Sequence, residues 1–247
     1  MCPKQAAKSA AVYFDEFIFS TYLNSTEQNV TPETPVVTSL GDAGPRRLMG
    51  NYDVGHSDQG FIDTADDAYD EQLWAAMNDS GDHYLGKMLG GATPPAEGTI
   101  AYESIVKISG QPRSAAVGGA ILLNFDSQGS GGLFRGLVLR AADLVAAGDG
   151  TGQNQGVTVL GQEYAVVFRV IAVAGGNITL HIEESQNDGG GDPYADIAGL
   201  TSGALVAAGV VRVSTTAATE AWKRVVAAGT FTTATVLVTA GTVMGTG

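Results

Sequence analysis

Residues Tyr164–Glu183 read YAVVFRVIAVAGGNITLHIE. Tyr164, Val166, Phe168 and Val170 alternate with Ala165, Val167, Arg169 and Ile171, the period of two that sends successive side chains to opposite faces of a strand. Beyond Gly175-Gly176, Ile178, Leu180 and Ile182 alternate again. Two such runs on either side of Gly-Gly predict a β-hairpin. Val210–Val213, Trp222–Val226 and Thr230–Thr239 supply further strands, so residues 157–247 are expected to form an antiparallel sandwich.

Upstream, Ala146–Gly156 (AAGDGTGQNQG) is polar and glycine-rich and marks a boundary. Before it, Gly118–Phe125 and Leu133–Arg140 read as strands joined by a flexible loop, Asp126–Gly132 (DSQGSGG). Ala101–Ser109 (AYESIVKIS) alternates cleanly, Tyr84–Leu89 reads as a strand, and so does Val12–Tyr22 (VYFDEFIFSTY), rich in aromatic and β-branched residues. From Asn24 to Gly60 the chain is polar, with short strand signals at Pro35–Leu40 and Arg47–Met49. That stretch is either a long β-hairpin or a surface excursion, and its length suits a role in contacts. Residues 1–10 read as a flexible arm.

One segment breaks the β pattern. Thr64–Asn78 (TADDAYDEQLWAAMN) predicts a helix. Asp63 or Thr64 caps it, and Asp66, Asp67, Asp70 and Glu71 crowd the amino end, where the helix dipole favours negative charge. Ala65, Tyr69, Leu73, Ala76 and Met77 make one apolar stripe that needs a sheet face to pack on. The expected organisation is an arm (1–10), a β-sandwich with one packed helix (11–147) and a carboxy-terminal β-sandwich (157–247), mainly β throughout.

Composition narrows function. The chain has 247 residues and a net charge of −13, and its basic pairs, Arg46-Arg47 and Lys223-Arg224, do not extend into a patch. That argues against nucleic-acid binding, which needs clustered Lys and Arg against phosphate. Charged residues make up only 16 %, below the ordinary share of about 25 %, so Thr, Ser, Ala, Gly and Asn, or other copies of the chain, must cover the surface. The 34 glycines fall mainly between β-like runs, where tight turns need positive φ. Cys2 is the only cysteine, which excludes an intrachain disulfide. No run approaches the roughly 18 apolar residues of a membrane helix, and Lys4 and Lys8 interrupt any signal core. A soluble product made in a cytoplasm is expected.

Chemical motifs are weak. Gly55-His56-Ser57-Asp58-Gln59 misses the second glycine of a nucleophile elbow and lacks its strand–turn–helix setting. The helix carboxylates would have to face one cleft to act as a glycosidase pair, and capping already explains them. Asp188, Asp192 and Asp196 in NDGGGDPYAD invite calcium, but their spacing does not match an EF-hand loop; a glycine-rich hairpin loop is the plainer reading. His56, His83 and His181 are scattered and read as solvated surface residues. Trp74 and Trp222 read as core or interface residues. No phosphate-binding glycine motif occurs. No catalytic, cofactor-binding or metal-ligating residue is therefore assigned, no cofactor is expected, and no enzymatic activity.

The segment Thr34–Gln72 (TPVVTSLGDAGPRRLMGNYDVGHSDQGFIDTADDAYDEQ) resembles the major tail (tail tube) proteins of siphovirus-like tailed bacteriophages: a β segment, a loop without pattern, a glycine-aromatic pair (Gly60-Phe61) and an acidic-capped helix. ITLHIEESQNDGGGDPYADIAGL and AWKRVVAAGTFTTATVLVTAG resemble β-sandwich modules of such phage proteins. The resemblance implies an antiparallel β-sandwich of tail-tube type with one packed helix, assembled as homohexameric rings stacked around a channel. It implies a virion location in the tail, partners among itself and other tail proteins, and DNA passing through during genome ejection without specific binding. Residues 24–60 would contact the next ring, and residues from 157 on would be an added outward-facing sandwich. Capsid-decorating and head-tail proteins share related folds, so decoration, or a host-surface adhesion module, is the alternative role.

Overall fold

The computed structural model describes residues 10–32, 36–37, 46–47, 52–62, 69–90, 93–115 and 121–244. In chain order the strands are β1 (Ala10–Phe14), β2 (Phe17–Ile18), β3 (Leu23–Pro32), β4 (Val36–Val37), β5 (Arg46–Arg47) and β6 (Tyr52–Phe61), followed by helix α1 (Tyr69–Asn78). Then come β7 (His83–Leu89), β8 (Ile100–Gly110), β9 (Arg113–Ala115), β10 (Ile121–Leu144), β11 (Gly148–Asp149) and β12 (Gln153–Asn154). The chain ends with β13 (Tyr164–Ala174), β14 (Asn177–Ser185), β15 (Ala195–Leu205), β16 (Gly209–Thr215), β17 (Trp222–Thr230) and β18 (Thr233–Val243). Among the described residues the protein is mainly antiparallel β with one α-helix, as its sequence leads one to expect, and a short 3-10 turn at Phe19–Thr21.

Contacts divide the chain into two compact units. One comprises the described residues of Met1–Thr21, His83–Ile105 and Gly132–Gly247, and the other those of Tyr22–Asp82 and Val106–Gly131. This differs from the 11–147 and 157–247 partition expected from the polar linker. The reason is pairing: β18 lies along the later half of β10, Leu144 opposite Ala234 and Phe134 opposite Val243, so the two sides of the linker share one sheet.

The first unit is a sandwich. Its larger sheet includes β16-β13-β18-β10-β8-β7-β1-β2, and its facing sheet runs β11-β17-β14-β15 with β12 also on β17. Tyr164, Val166, Phe168 and Val170 of β13 meet Ile178, Leu180 and Ile182 of β14 between the sheets. Val236 and Val238 of β18, and Val225 and Leu200, complete that core. Each such side chain, fully buried, contributes about 1.5–3 kcal/mol.

The Gly175-Gly176 hairpin expected between β13 and β14 does not form. β13 pairs with β18 and β16, whereas β14 pairs with β17 and β15, so the two runs lie in opposite sheets. What exists is a folded ribbon. β13 and β18 pair from Tyr164–Thr242 to Ala174–Thr233, and β14 and β17 continue the ladder from Asn177–Thr230 to Ser185–Trp222. Both chains cross between sheets side by side, linked by Thr232 N–H donating to the Ala174 carbonyl at 2.7 Å. Gly175 has φ 76°, but Gly176 has φ 146°, outside the type I′ geometry of a two-residue hairpin. A Cβ at Gly176 would overlap the Thr230 carbonyl oxygen.

In the second unit, β3 and β6 form a long antiparallel hairpin, with Val30 opposite Val54, and β4 pairs with β5 within the intervening segment. Of the two readings of residues 24–60, the described residues show the pairing of a hairpin. β6 continues onto the early half of β10, which also pairs with β9. The expected loop DSQGSGG is instead part of strand β10: Asp126, Ser127 and Gln128 pair with Ser57, His56 and Gly55. Gly131 (φ 128°) and Gly132 (φ 66°) take positive φ inside the strand, where the unit boundary falls. Helix α1 buries Tyr69, Leu73 and Ala76, whereas Met77, expected in the same stripe, is exposed. Tyr69 stacks on Tyr22 at 5.9 Å and meets Phe125 edge-on at 6.1 Å. Residues 64–68 of the expected helix and 1–9 of the expected arm lie outside the described residues, and Ala10 opens β1.

Gly176→Ala is expected to lower stability by at least about 2 kcal/mol, because strained φ and the carbonyl overlap act together. Gly199→Ala, at φ 83° with open space around it, should cost only about 1 kcal/mol. Thermal and denaturant unfolding of the two variants checks the difference.

Candidate functional site

Ser57 sits mid-strand in β6, exposed, with His56 and Asp58 turned to the buried face. The strand continues to Phe61, so no nucleophile elbow exists there. Of the helix carboxylates, Asp66 and Asp67 lie outside the described residues, and Asp70 accepts hydrogen bonds from Arg113 (2.6 Å) and Gln111 (3.4 Å). The Arg113 guanidinium lies 5.8 Å from the Trp74 ring centre. Trp74 is 57 % exposed, so it belongs to a surface and not to the core. Trp222, in β17, is half-buried.

The three loop aspartates do not converge. Asp188 accepts the Tyr194 hydroxyl at 2.6 Å, and Asp192 accepts the Gln186 N–H at 2.8 Å. Ser185 Oγ accepts the Asn187 and Gly189 N–H groups and donates to the Asp192 carbonyl. The loop is thus wrapped on itself by ordinary hydrogen bonds, in keeping with the plainer reading.

The solvated reading of the histidines fails for two of them. His56 is buried in β6. His83 is buried in β7, stacks on Phe14 at 5.3 Å, and its Nδ1 lies 2.8 Å from Asp15 Oδ2. Asp15 Oδ1 also accepts the Tyr84 N–H at 2.8 Å. His181 is half-buried on the outward face of β14, with Nε2 3.2 Å from Asp196 Oδ1 and 4.0 Å from Glu183 Oε1. Among the described residues these three form a group able to hold a metal ion, their ligand atoms within 4.8 Å of one another. Sequence spacing hides it, because Asp196 arrives from another strand.

Two buried charges also escape a sequence reading. Arg169 alternates with apolar residues as if to face solvent, yet it is fully buried. Its guanidinium donates to both Glu103 oxygens (2.6 and 2.8 Å) and to the Asp15 (2.7 Å) and Tyr84 (3.3 Å) carbonyls, and Thr239 Oγ1 donates to Glu103 at 2.7 Å. Removing one partner of such a pair typically costs about 3–5 kcal/mol. Lys223 is likewise buried. Its ammonium donates to the Gly156 carbonyl at 2.7 Å and to the Glu220 carbonyl, and lies 5.1 Å from the Tyr164 ring centre.

The surface feature that stands apart is the segment between β12 and β13. Val157, Val159 and Leu160 are 69, 62 and 80 % exposed. They are held out by backbone hydrogen bonds: Thr158 and Thr219 exchange N–H and carbonyl at 3.2 and 2.9 Å, and Gly161 N–H donates to the Thr216 carbonyl at 2.9 Å. These partners directly follow β16, which ends the larger sheet and, among the described residues, pairs with β13 alone.

No family model matches the sequence, and no curated protein matches it. Solved structures do. A chain in the virion of a native gene transfer agent particle is 19 % identical, spans 53 % of this chain and 97 % of its own, and superposes with a TM-score of 0.43. A chain in the tail of an empty gene transfer agent particle with C6 symmetry is 18 % identical, with the same coverage and a TM-score of 0.41. The Dit protein of phage SPP1, from the hub adsorption apparatus of phages infecting Gram-positive bacteria, is 8 % identical over 94 % of this chain and 98 % of its own, with a TM-score of 0.38. No helix among the described residues is long and apolar enough to cross a membrane.

Burial lowers the Lys223 ammonium to about pKa 8. A lysine whose folded-state value is depressed binds fewer protons folded than unfolded between pH 8 and its ordinary value, so stability rises with pH across that window. Relative to Lys223→Met, the protein should gain about 2 kcal/mol of unfolding free energy between pH 8 and 10. Denaturant unfolding of both proteins at the two pH values checks it.

Proposed function

We propose that this protein is a structural component of a tailed-phage virion that assembles with copies of itself into the stacked rings of a tail tube. The observation that carries the reading is the set of exposed apolar side chains at Val157, Val159 and Leu160, hydrogen-bonded to the residues that follow β16, the strand that ends the larger sheet. An exposed apolar cluster and an open strand edge, in a chain with only 16 % charged residues, are a liability in a monomer, and a neighbouring copy removes it. The resemblance of Thr34–Gln72 and of the later sandwich segments to tail tube proteins supports the same reading.

Rotational closure of this contact gives a ring, and a second, axial contact stacks rings. The β3–β6 hairpin is the proposed axial element. The net charge of −13 leaves a channel wall without the clustered cations that hold phosphate, so DNA would slide through it. The protein would act in the virion tail after synthesis in the host cytoplasm.

Val159→Asp/Leu160→Asp places two charges in the proposed contact while leaving the core untouched. Sedimentation velocity should show mass growing with concentration for the natural protein and a single chain for the variant, with unfolding free energies within about 0.5 kcal/mol. Equal assembly by the two proteins would remove this contact from the account, and a fixed trimer would favour capsid decoration.

A further inference from the structure

We propose that His181, Glu183 and Asp196 form a zinc-binding site on the outer face of the smaller sheet. His181 and Glu183 are two residues apart on β14, so both side chains leave the same face. Their intervening neighbour Ile182, and Leu180 before them, are fully buried in the sandwich core. β14 is also hydrogen-bonded on both sides, to β15 and β17. The two side chains therefore project from fixed backbone.

Asp196 is delivered by an irregular stretch of β15. His181 lies opposite Thr201, and in unbroken register Glu183 would face Gly199; instead it faces Asp196. The extra residues are accommodated around Gly199, which takes φ 83°. Bulges re-aim side chains in this way, and they are common next to functional sites.

The donor chemistry suits zinc. Imidazole nitrogen and carboxylate oxygen are both zinc donors, at bond lengths of about 2.0–2.2 Å, and three protein ligands leave the fourth position open to water. Two ligands on one tetrahedral ion then stand about 3.4 Å apart. His181 Nε2 and Asp196 Oδ1 are already at 3.2 Å, and Glu183 Oε1 at 4.0 Å from the imidazole needs only a small side-chain adjustment. The Asp196 side chain is 72 % exposed, which leaves an entry path.

The charged neighbours are compatible with a cation. Arg224 donates to Glu183 Oε2, at 2.7 Å from Nε and 2.6 Å from Nη2, which leaves Oε1 for the ion and fixes the carboxylate in the way outer partners orient metal ligands. Its own charge is offset by Asp149, 3.0 Å from Nη2.

The test is titration of the full chain with ZnCl2 by calorimetry, with Co2+ as a spectroscopic substitute. One equivalent of zinc should bind, and Co2+ should give visible absorption bands that zinc displaces. His181→Ala and, independently, Asp196→Asn at its exposed position should each weaken binding at least about tenfold. Millimolar Mg2+ should not compete, because hard cations prefer all-oxygen sites. Absence of saturable zinc uptake, or equal uptake by both variants and the natural protein, would overturn the assignment.

Discussion

The larger unit depends on a ribbon that is folded over. Residues 164–185 and 222–243 stay paired while both cross from one sheet to the other, so the same two chains supply strands to both faces of the core. The crossing has room for backbone and no more. At Gly229, with φ 112°, an added Cβ would stand 2.5 Å from the Asn177 carbonyl, across the ladder from where Gly176 meets Thr230. Burial of Val166, Phe168, Leu180 and Ile182 between the layers is possible only because these glycines let the ribbon turn so sharply.

The ribbon also explains why the other face of β13 is not a surface. Ala165 and Val167 pack with Phe134 and Val243 on the side of the sheet away from the main core. Arg169, on the same alternation, closes against Glu103 of β8, although β18 and β10 lie between β13 and β8 in the sheet order. The larger sheet must therefore curl strongly to bring these two side chains together. Gly86 allows that approach, since a Cβ there would stand 2.6 Å from Glu103 Oε1. A buried pair of this kind is costly to break from one side yet contributes little net stability, since desolvation offsets its attraction.

Most strands were legible, because period-two alternation is a local signal: β8, β13, β14 and β17 stand close to where their residues place them. Partnership was not. Gly175-Gly176 looks the same in a hairpin and in a sheet-to-sheet crossing, and only the distant residues 230–233 decide between them. DSQGSGG carries the composition of a loop but continues a strand because β6 offers it a ladder. Strand β15 was missed because Ile197, Leu200 and Ser202 point inward at irregular spacing around its glycines, which erases the period. For the candidate sites the limit is similar. Alternation puts His181 and Glu183 on one strand face, but Asp196 joins them through an irregular stretch of β15 that no local spacing encodes.

The surface and the core tell one story about use. The sandwich core is apolar and fully buried, while Val157, Val159 and Leu160 stand exposed on a hydrogen-bonded segment, the feature on which the proposed self-assembly rests. Negative-stain electron microscopy of the purified protein over a concentration series tests that most directly. The account predicts hollow tubes or closed rings of uniform diameter; single-chain particles at every concentration would contradict it.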